Sequence, residues 1–243
     1  MGKIIIYSAI IGDYDNIVTP KIIDKDVEYI LFTDNLGYKS DVWKIINIKV
    51  TGGFKKTARY IKLNPHKVLP PHNISIWVDG SLTPNFDNTE NLLREIEFNN
   101  GVMCYKHETR NCIYNESDVV VASKFDDPNV VALQMESYYN EGLPLDYGLF
   151  ETGFMIRKNN DNINSFNELW WKEVSNKSYR DQLSQMYVSW KTKIVIKPIK
   201  IGKSIRDNKF LQPIRKHKKN ETKPAKTEYI VENSGKVTDR ILI

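Results

Sequence analysis

The stretch that most limits what this chain can become is Ile74-Ser75-Ile76-Trp77-Val78-Asp79-Gly80-Ser81. An apolar run of this length, closed by polar turn residues, reads as a buried strand of a parallel or mixed sheet. Such a strand delivers its last side chain to the carboxyl edge, where open α/β sheets bind ligands. An aspartate there, beside a glycine that lets a ligand approach the backbone, suits a divalent metal or a ribose. The same residues also suit a plain turn in which Asp79 acts as a cap.

The remaining pattern supplies a sheet around that strand. Further strands are expected over residues 3–11, 27–33, 42–50, 102–105 and 193–199, and helices over 54–63, 89–97, 116–124 and 127–140. Residues 148–157 read as a short strand broken by Glu151-Thr152-Gly153. Phe166, Leu169, Trp170 and Val174 form a helical stripe, and Ser178-Tyr179-Arg180-Asp181 resembles a capping box opening the last helix. Strands interleaved with helices predict a single α/β domain with a parallel or mixed sheet. With 243 residues and 41% hydrophobic content, the chain can bury one sizeable core. The domain is assigned to residues 1–200, with a basic extension over 201–243.

Composition narrows the function classes. Two cysteines, Cys104 and Cys112, give neither a disulfide framework nor a zinc spacing. No window approaches the twenty or so apolar residues of a membrane span, so a soluble, cytoplasmic protein is expected. The net charge of +5 gathers late: residues 203–226 hold nine Lys/Arg against two acids. No nucleic-acid partner is expected for the body, whose charge is close to balanced.

Several segments carry candidate chemistry, each beside a plainer reading. Ile11 and the turn Gly12-Asp13-Tyr14-Asp15 follow the first strand, where a nucleotide can sit. Tyr14 would stack on a base and Asp13 or Asp15 would bond its ribose, unless this is only a solvated turn. Neither G-x-G-x-x-G nor G-x-x-x-x-G-K-[ST] occurs. Lys55, Arg59 and Lys62 share one helical face and would grip a diphosphate, or simply face water. His107 and Arg110 would contact substrate, although a lone histidine is more often structural. A glycine inside a strand marks close approach of a ligand or another backbone, which turns Glu151 toward a pocket. Asp181 and Gln182 stand in a first helical turn, where capping alone would account for them.

The order of these pieces is more telling than any one of them. Ser8-Ala9-Ile10-Ile11-Gly12-Asp13-Tyr14-Asp15, Arg59-Tyr60-Ile61-Lys62, Trp77-Val78-Asp79-Gly80-Ser81, Gly148-Leu149-Phe150-Glu151-Thr152-Gly153 and Arg180-Asp181-Gln182-Leu183-Ser184 follow one another in the sequence. Together, over residues 3–195, they resemble the DUF616 family, a glycosyltransferase-like group of the TOD1/MUCI70 type. The resemblance implies a GT-A fold, a Rossmann-like mixed sheet flanked by helices. It also implies transfer of a sugar from a nucleoside-diphosphate sugar to a hydroxyl of a glycan or glycoconjugate, assisted by Mn²⁺ or Mg²⁺. By that resemblance Asp79 and Ser81 stand where a D-x-D metal motif would end a central strand, with Ser81 replacing the second acid. Ile11, Gly12, Asp13, Tyr14, Arg59, Lys62, Asp79, Gly80 and Ser81 would bind the donor. Asp181 or Glu151 would serve the chemistry, and His107, Arg110, Thr152, Gly153 and Gln182 the acceptor or sugar. Two rivals are a non-catalytic binding module using the basic tail, which predicts salt-sensitive binding, and a ceramidase-like hydrolase. The latter needs a clustered metal–histidine site, and the four histidines are scattered at 66, 72, 107 and 217.

Overall fold

The computed structural model describes residues 2–16 and 18–212. Its first half comprises β1 (Ile4–Ile10), β2 (Glu28–Thr33), β3 (Lys44–Asn47), α1 (Phe54–Leu63), α2 (Pro65–Val68), β4 (Ile74–Val78), β5 (Thr83–Pro84) and α3 (Thr89–Glu95). The second comprises β6 (Val102–Lys106), α4 (Ile113–Ala122), α5 (Pro128–Asn140), β7 (Phe150–Lys158), α6 (Asp161–Asn176), α7 (Gln182–Thr192), β8 (Ile196–Pro198) and β9 (Leu211–Gln212). Seven strands form one mixed sheet in the order β3-β2-β1-β4-β7-β6-β8. β1 to β4 run parallel, whereas β7 is antiparallel to both β4 and β6.

Strands buried on both faces lose the polar alternation of a half-exposed sheet, and β4 is buried at every position. One core joins Tyr7, Phe32, Trp77 and Met155 to Ile61 of α1, Phe166 and Trp170 of α6 and Leu183 of α7. The other joins Ile6, Ile76, Val78 and Phe154 to Leu92 and Leu93 of α3 and to Phe210 and Leu211. No helix among the described residues is long and apolar enough to cross a membrane.

The mixed α/β sheet flanked by helices is the expected one, with local differences. The strand expected over 42–50 shrinks to β3, and α4 begins at Ile113 rather than at 116. Pro65 opens α2 at a position where a missing N–H costs nothing. Thr83 and Pro84, which follow the Asp79 turn, pair with Gln212 and Leu211 as a two-stranded sheet. β7 is not broken at Glu151-Thr152-Gly153. Its pairing with β6 jumps instead, from Cys104 opposite Met155 to Tyr105 opposite Glu151, an irregularity that absorbs the glycine without ending the strand. Residues 201–212 of the basic extension pack on the body through Ile205, Phe210 and Leu211. The rest of that extension lies outside the described residues.

Candidate active site

β2 and β3 lie beyond β1, while β7, β6 and β8 lie beyond β4. The chain thus departs in opposite directions from the neighbouring carboxyl ends of β1 and β4, the switch point at which open α/β sheets form a crevice. Two of the expected segments meet there. A β-carbon on Gly80 would lie 3.1 Å from Asp15 Oδ2 and from Ile10 Cγ1, so the β1 and β4 loops are in contact.

Asp79 divides the crevice. Its Oδ1 accepts from Trp77 Nε1 at 2.6 Å and from Lys62 Nζ at 3.3 Å. Its Oδ2 faces Gly153, 3.2 Å from where a β-carbon would stand, and accepts no hydrogen bond among the described residues. The carboxylate is therefore braced on one oxygen and presented on the other.

Lys62 does the bracing from inside the protein. Its ammonium pairs with Asp181 Oδ2 at 2.7 Å and donates to Thr152 Oγ1 at 3.2 Å. Arg59 Nε stands 3.2 Å from Asp181 Oδ1. Burial alone would raise the Asp181 carboxyl, but Arg59 and Lys62 outweigh it and hold the group well below the usual carboxylate range. Asp181 occupies the N-cap position of α7 yet makes no side-chain cap, and the expected capping box does not form. Its carboxylate turns to α1 instead, which sets the capping explanation aside. Arg157, wholly buried, donates to Lys62 O at 2.6 Å, to Asn167 Oδ1 at 2.9 Å and to the Tyr7 hydroxyl, and so pins the end of α1 that carries Lys62.

Side chains alternate faces along a strand, and Glu151 and Gly153 share the face opposite Thr152. On that face Glu151 Oε1 pairs with Arg206 Nη1 at 3.0 Å, and Oε2 accepts from the Ile205 amide at 3.2 Å. Burial raises the Glu151 carboxyl above its ordinary value, against the opposing pull of Arg206. Gln182 Nε2 donates to Phe150 O at 2.9 Å and steadies the start of β7.

The donor-loop residues hold a defined shape. Ile11 is buried, and the Gly12 amide donates to Asp34 Oδ1 at 2.9 Å. Gly12 has φ +68°, and a β-carbon there would strike the Phe54 ring at 2.7 Å, so only glycine fits. Asp13 Oδ1 accepts from Asn35 Nδ2 at 2.9 Å and Tyr38 Oη at 3.2 Å. Tyr14, largely exposed, lies within electrostatic reach of Arg59. Ser81 sits half-buried in the turn after Gly80. Lys55, by contrast, bonds the Tyr179 hydroxyl at 2.7 Å, away from Asp79.

His107 and Arg110 form a separate cluster with Glu116 at the end of β6. Arg110 Nε meets Glu116 Oε2 at 2.5 Å, and Arg110 Nη2 lies 2.9 Å from His107 Nε2. Burial and Arg110 push the His107 imidazole below its ordinary value. Sequence reasoning gave no role to Trp77 as a donor, to Arg157 or to Arg206. A charged residue inside the apolar run Phe154-Met155-Ile156-Arg157 was the available signal, since a buried guanidinium demands partners.

No group of three or more His, Cys, Asp and Glu able to hold a metal occurs among the described residues. The donor set fits a different arrangement: Mg²⁺ and Mn²⁺ are commonly held by one or two carboxylates plus substrate phosphates. Asp79 Oδ2 is presented for that, with the Ser81 hydroxyl two residues on.

The model of the TOD1/MUCI70 glycosyltransferase-like domain matches residues 1–215. The chain is 25% identical over 216 residues to the Arabidopsis thaliana protein named "Probable hexosyltransferase MUCI70", covering 74% of this chain and 36% of that protein. It thus spans about a third of that relative's length. Among solved structures it is similar to a WbbM bifunctional glycosyltransferase in its apo form, with TM-score 0.45 and 12% identity over 81% of this chain and 38% of that one.

Proposed function

As this chain belongs to the TOD1/MUCI70 family of glycosyltransferase-like domains, we propose that it moves a sugar from a nucleoside-diphosphate sugar to a hydroxyl of a glycan or glycoconjugate, in a GT-A-like arrangement. The observation that carries the reading is Asp79: one oxygen held by Trp77 and Lys62, the other presented at the switch-point crevice. Gly12, Asp13 and Tyr14 border the crevice on the nucleotide side. Arg59 stands beside it with a cation that Asp181 and Asp79 strengthen, although burial disfavours it.

In the transfer the acceptor oxygen bonds the anomeric carbon, the bond from that carbon to the diphosphate breaks, and the acceptor proton passes to a base. Glu151 suits the base better than Asp181. A carboxyl with a raised pKa takes a proton more readily, whereas Asp181 is locked between two cations. Asp181 is then the counter-ion that keeps Arg59 and Lys62 in place. Mn²⁺ or Mg²⁺, carried on the diphosphate and held by Asp79 and Ser81, would supply charge neutralisation of the leaving group.

A thermal-shift screen of UDP- and GDP-sugars with and without Mn²⁺ tests this reading, with a CMP-sugar, which carries no diphosphate, as the control. At a ligand concentration of 100 Kd, binding adds about 2.7 kcal/mol of stability, so at least one donor should raise the melting temperature. Asp79→Asn should abolish transfer while the protein still folds, since Asp181 and Thr152 remain as partners of Lys62. Stabilisation by none of the donors, or full transfer by D79N, sinks the proposal.

A further inference from the structure

Glu151 is engaged from outside its own strand, by a segment that the sequence assigns to the basic extension. Residues 203–208 form a closed turn: the Lys203 amide donates to Asp207 O at 2.9 Å, and Asn208 Nδ2 donates to Ser204 O and Ile205 O at 3.0 Å each. The turn is tied down at both ends. Tyr105 Oη donates to Ile201 O at 3.0 Å, and Phe210 and Leu211 are buried in the second core. Ile205 seats its side chain where Gly153 lacks one, with Cδ1 2.6 Å from the missing β-carbon. This seating delivers the Ile205 amide and the Arg206 guanidinium to the two oxygens of Glu151. The Arg206 side chain nonetheless remains 62% exposed, so it contributes its charge without filling the core.

We propose that Arg206 is a positioning residue for the transfer: together with the Ile205 amide it holds the Glu151 carboxylate in one orientation, so that residues 204–206 belong to the active site. The inference rests on the reading of Glu151 as the base. A carboxylate with both oxygens held by donors has one orientation, and a guanidinium beside it favours the charged form that a base requires. Glu108, from the loop after β6, also acts on Glu151 and works against ionisation. His107 in the same loop is also within electrostatic reach of Arg206.

The test is a carboxyl ¹³C NMR titration of the full chain labelled at glutamate, with Glu151→Gln identifying the resonance. In Arg206→Gln the Glu151 carboxyl should titrate about one pH unit higher than in the wild type, and Arg206→Lys should recover most of the difference. The acid limb of kcat/KM, measured with whichever UDP- or GDP-sugar stabilises the wild type, should move in the same direction. An unmoved Glu151 titration in R206Q overturns the proposal, and so does a moved titration with an unmoved acid limb. Failure of the underlying reading shows separately, as an E151Q protein that transfers sugar at the wild-type rate.

Discussion

Lys62 shows how one residue can organise a site it does not itself expose. A buried ammonium is tolerated only with paired charges and hydrogen bonds, and Asp79, Asp181 and Thr152 provide them. Lys62→Met leaves buried Asp181 with Arg59 as its one remaining ion pair among the described residues and should cost about 3–5 kcal/mol, read from urea unfolding. Pairing it with Asp181→Asn should return part of that loss. Asp181 also ties stability to pH. Its folded pKa is depressed, so its contribution is complete above the ordinary carboxylate value of about 4 and is lost as pH falls through the folded value. Denaturant titrations between about pH 5 and pH 2 should therefore give a shallower slope for D181N than for the wild type. Glu151 has the opposite sign. Its raised pKa places the acid limb of transfer above the ordinary glutamate value of about 4.3, and E151Q should abolish transfer across the pH range.

At the scale of elements, the decisive contact is between β4 and β7. The Asp79 amide donates to Gly153 O at 2.8 Å, so the ladder carries on past the last residue of β4 and fixes the approach of Asp79 to Gly153. Gly153→Ala makes this contact measurable. Its β-carbon would press on Ile205 Cδ1, the far end of a flexible side chain, and on Asp79 Oδ2. Overpacking of this kind costs about 1–3 kcal/mol, while the displaced carboxylate should weaken donor binding well beyond what that loss explains. Isothermal titration with the stabilising donor separates the two effects, and unchanged affinity in G153A counts against Asp79 Oδ2 as the donor-facing atom. The same contact explains why β7 reads as interrupted in the sequence. Glycine in a run of β-formers signals a break or a close approach, and local pattern does not distinguish them. Here the partner strands do: β4 accepts the unbroken backbone while β6 shifts register.

At the scale of the whole molecule, the described chain closes its site with residues far from the strands that define it. Removing everything after residue 202 would strip Ile205, Phe210 and Leu211 from the second core. At about 1.5–3 kcal/mol for each buried side chain, the loss should approach the total stability of an ordinary domain. A truncated protein that melts with the wild type would contradict this packing. The sequence by itself determined that an apolar strand ends in Asp79, that strands and helices interleave into an α/β sheet, and that glycine-bearing loops and three cations stand near the strand ends. Those are consequences of local periodicity and turn chemistry, which neighbouring residues settle among themselves. It did not determine which charge meets which. Lys55, Arg59 and Lys62 repeat at one helical spacing, yet Lys55 bonds Tyr179 while Lys62 is buried between Asp79 and Asp181. Nor did it show that Asp181 leaves its helix uncapped, or that Arg206 crosses to Glu151. Only the tertiary structure decided these pairings, because the energy of a charge depends on the burial and partners that distant segments impose, and spacing along one helix carries no record of them.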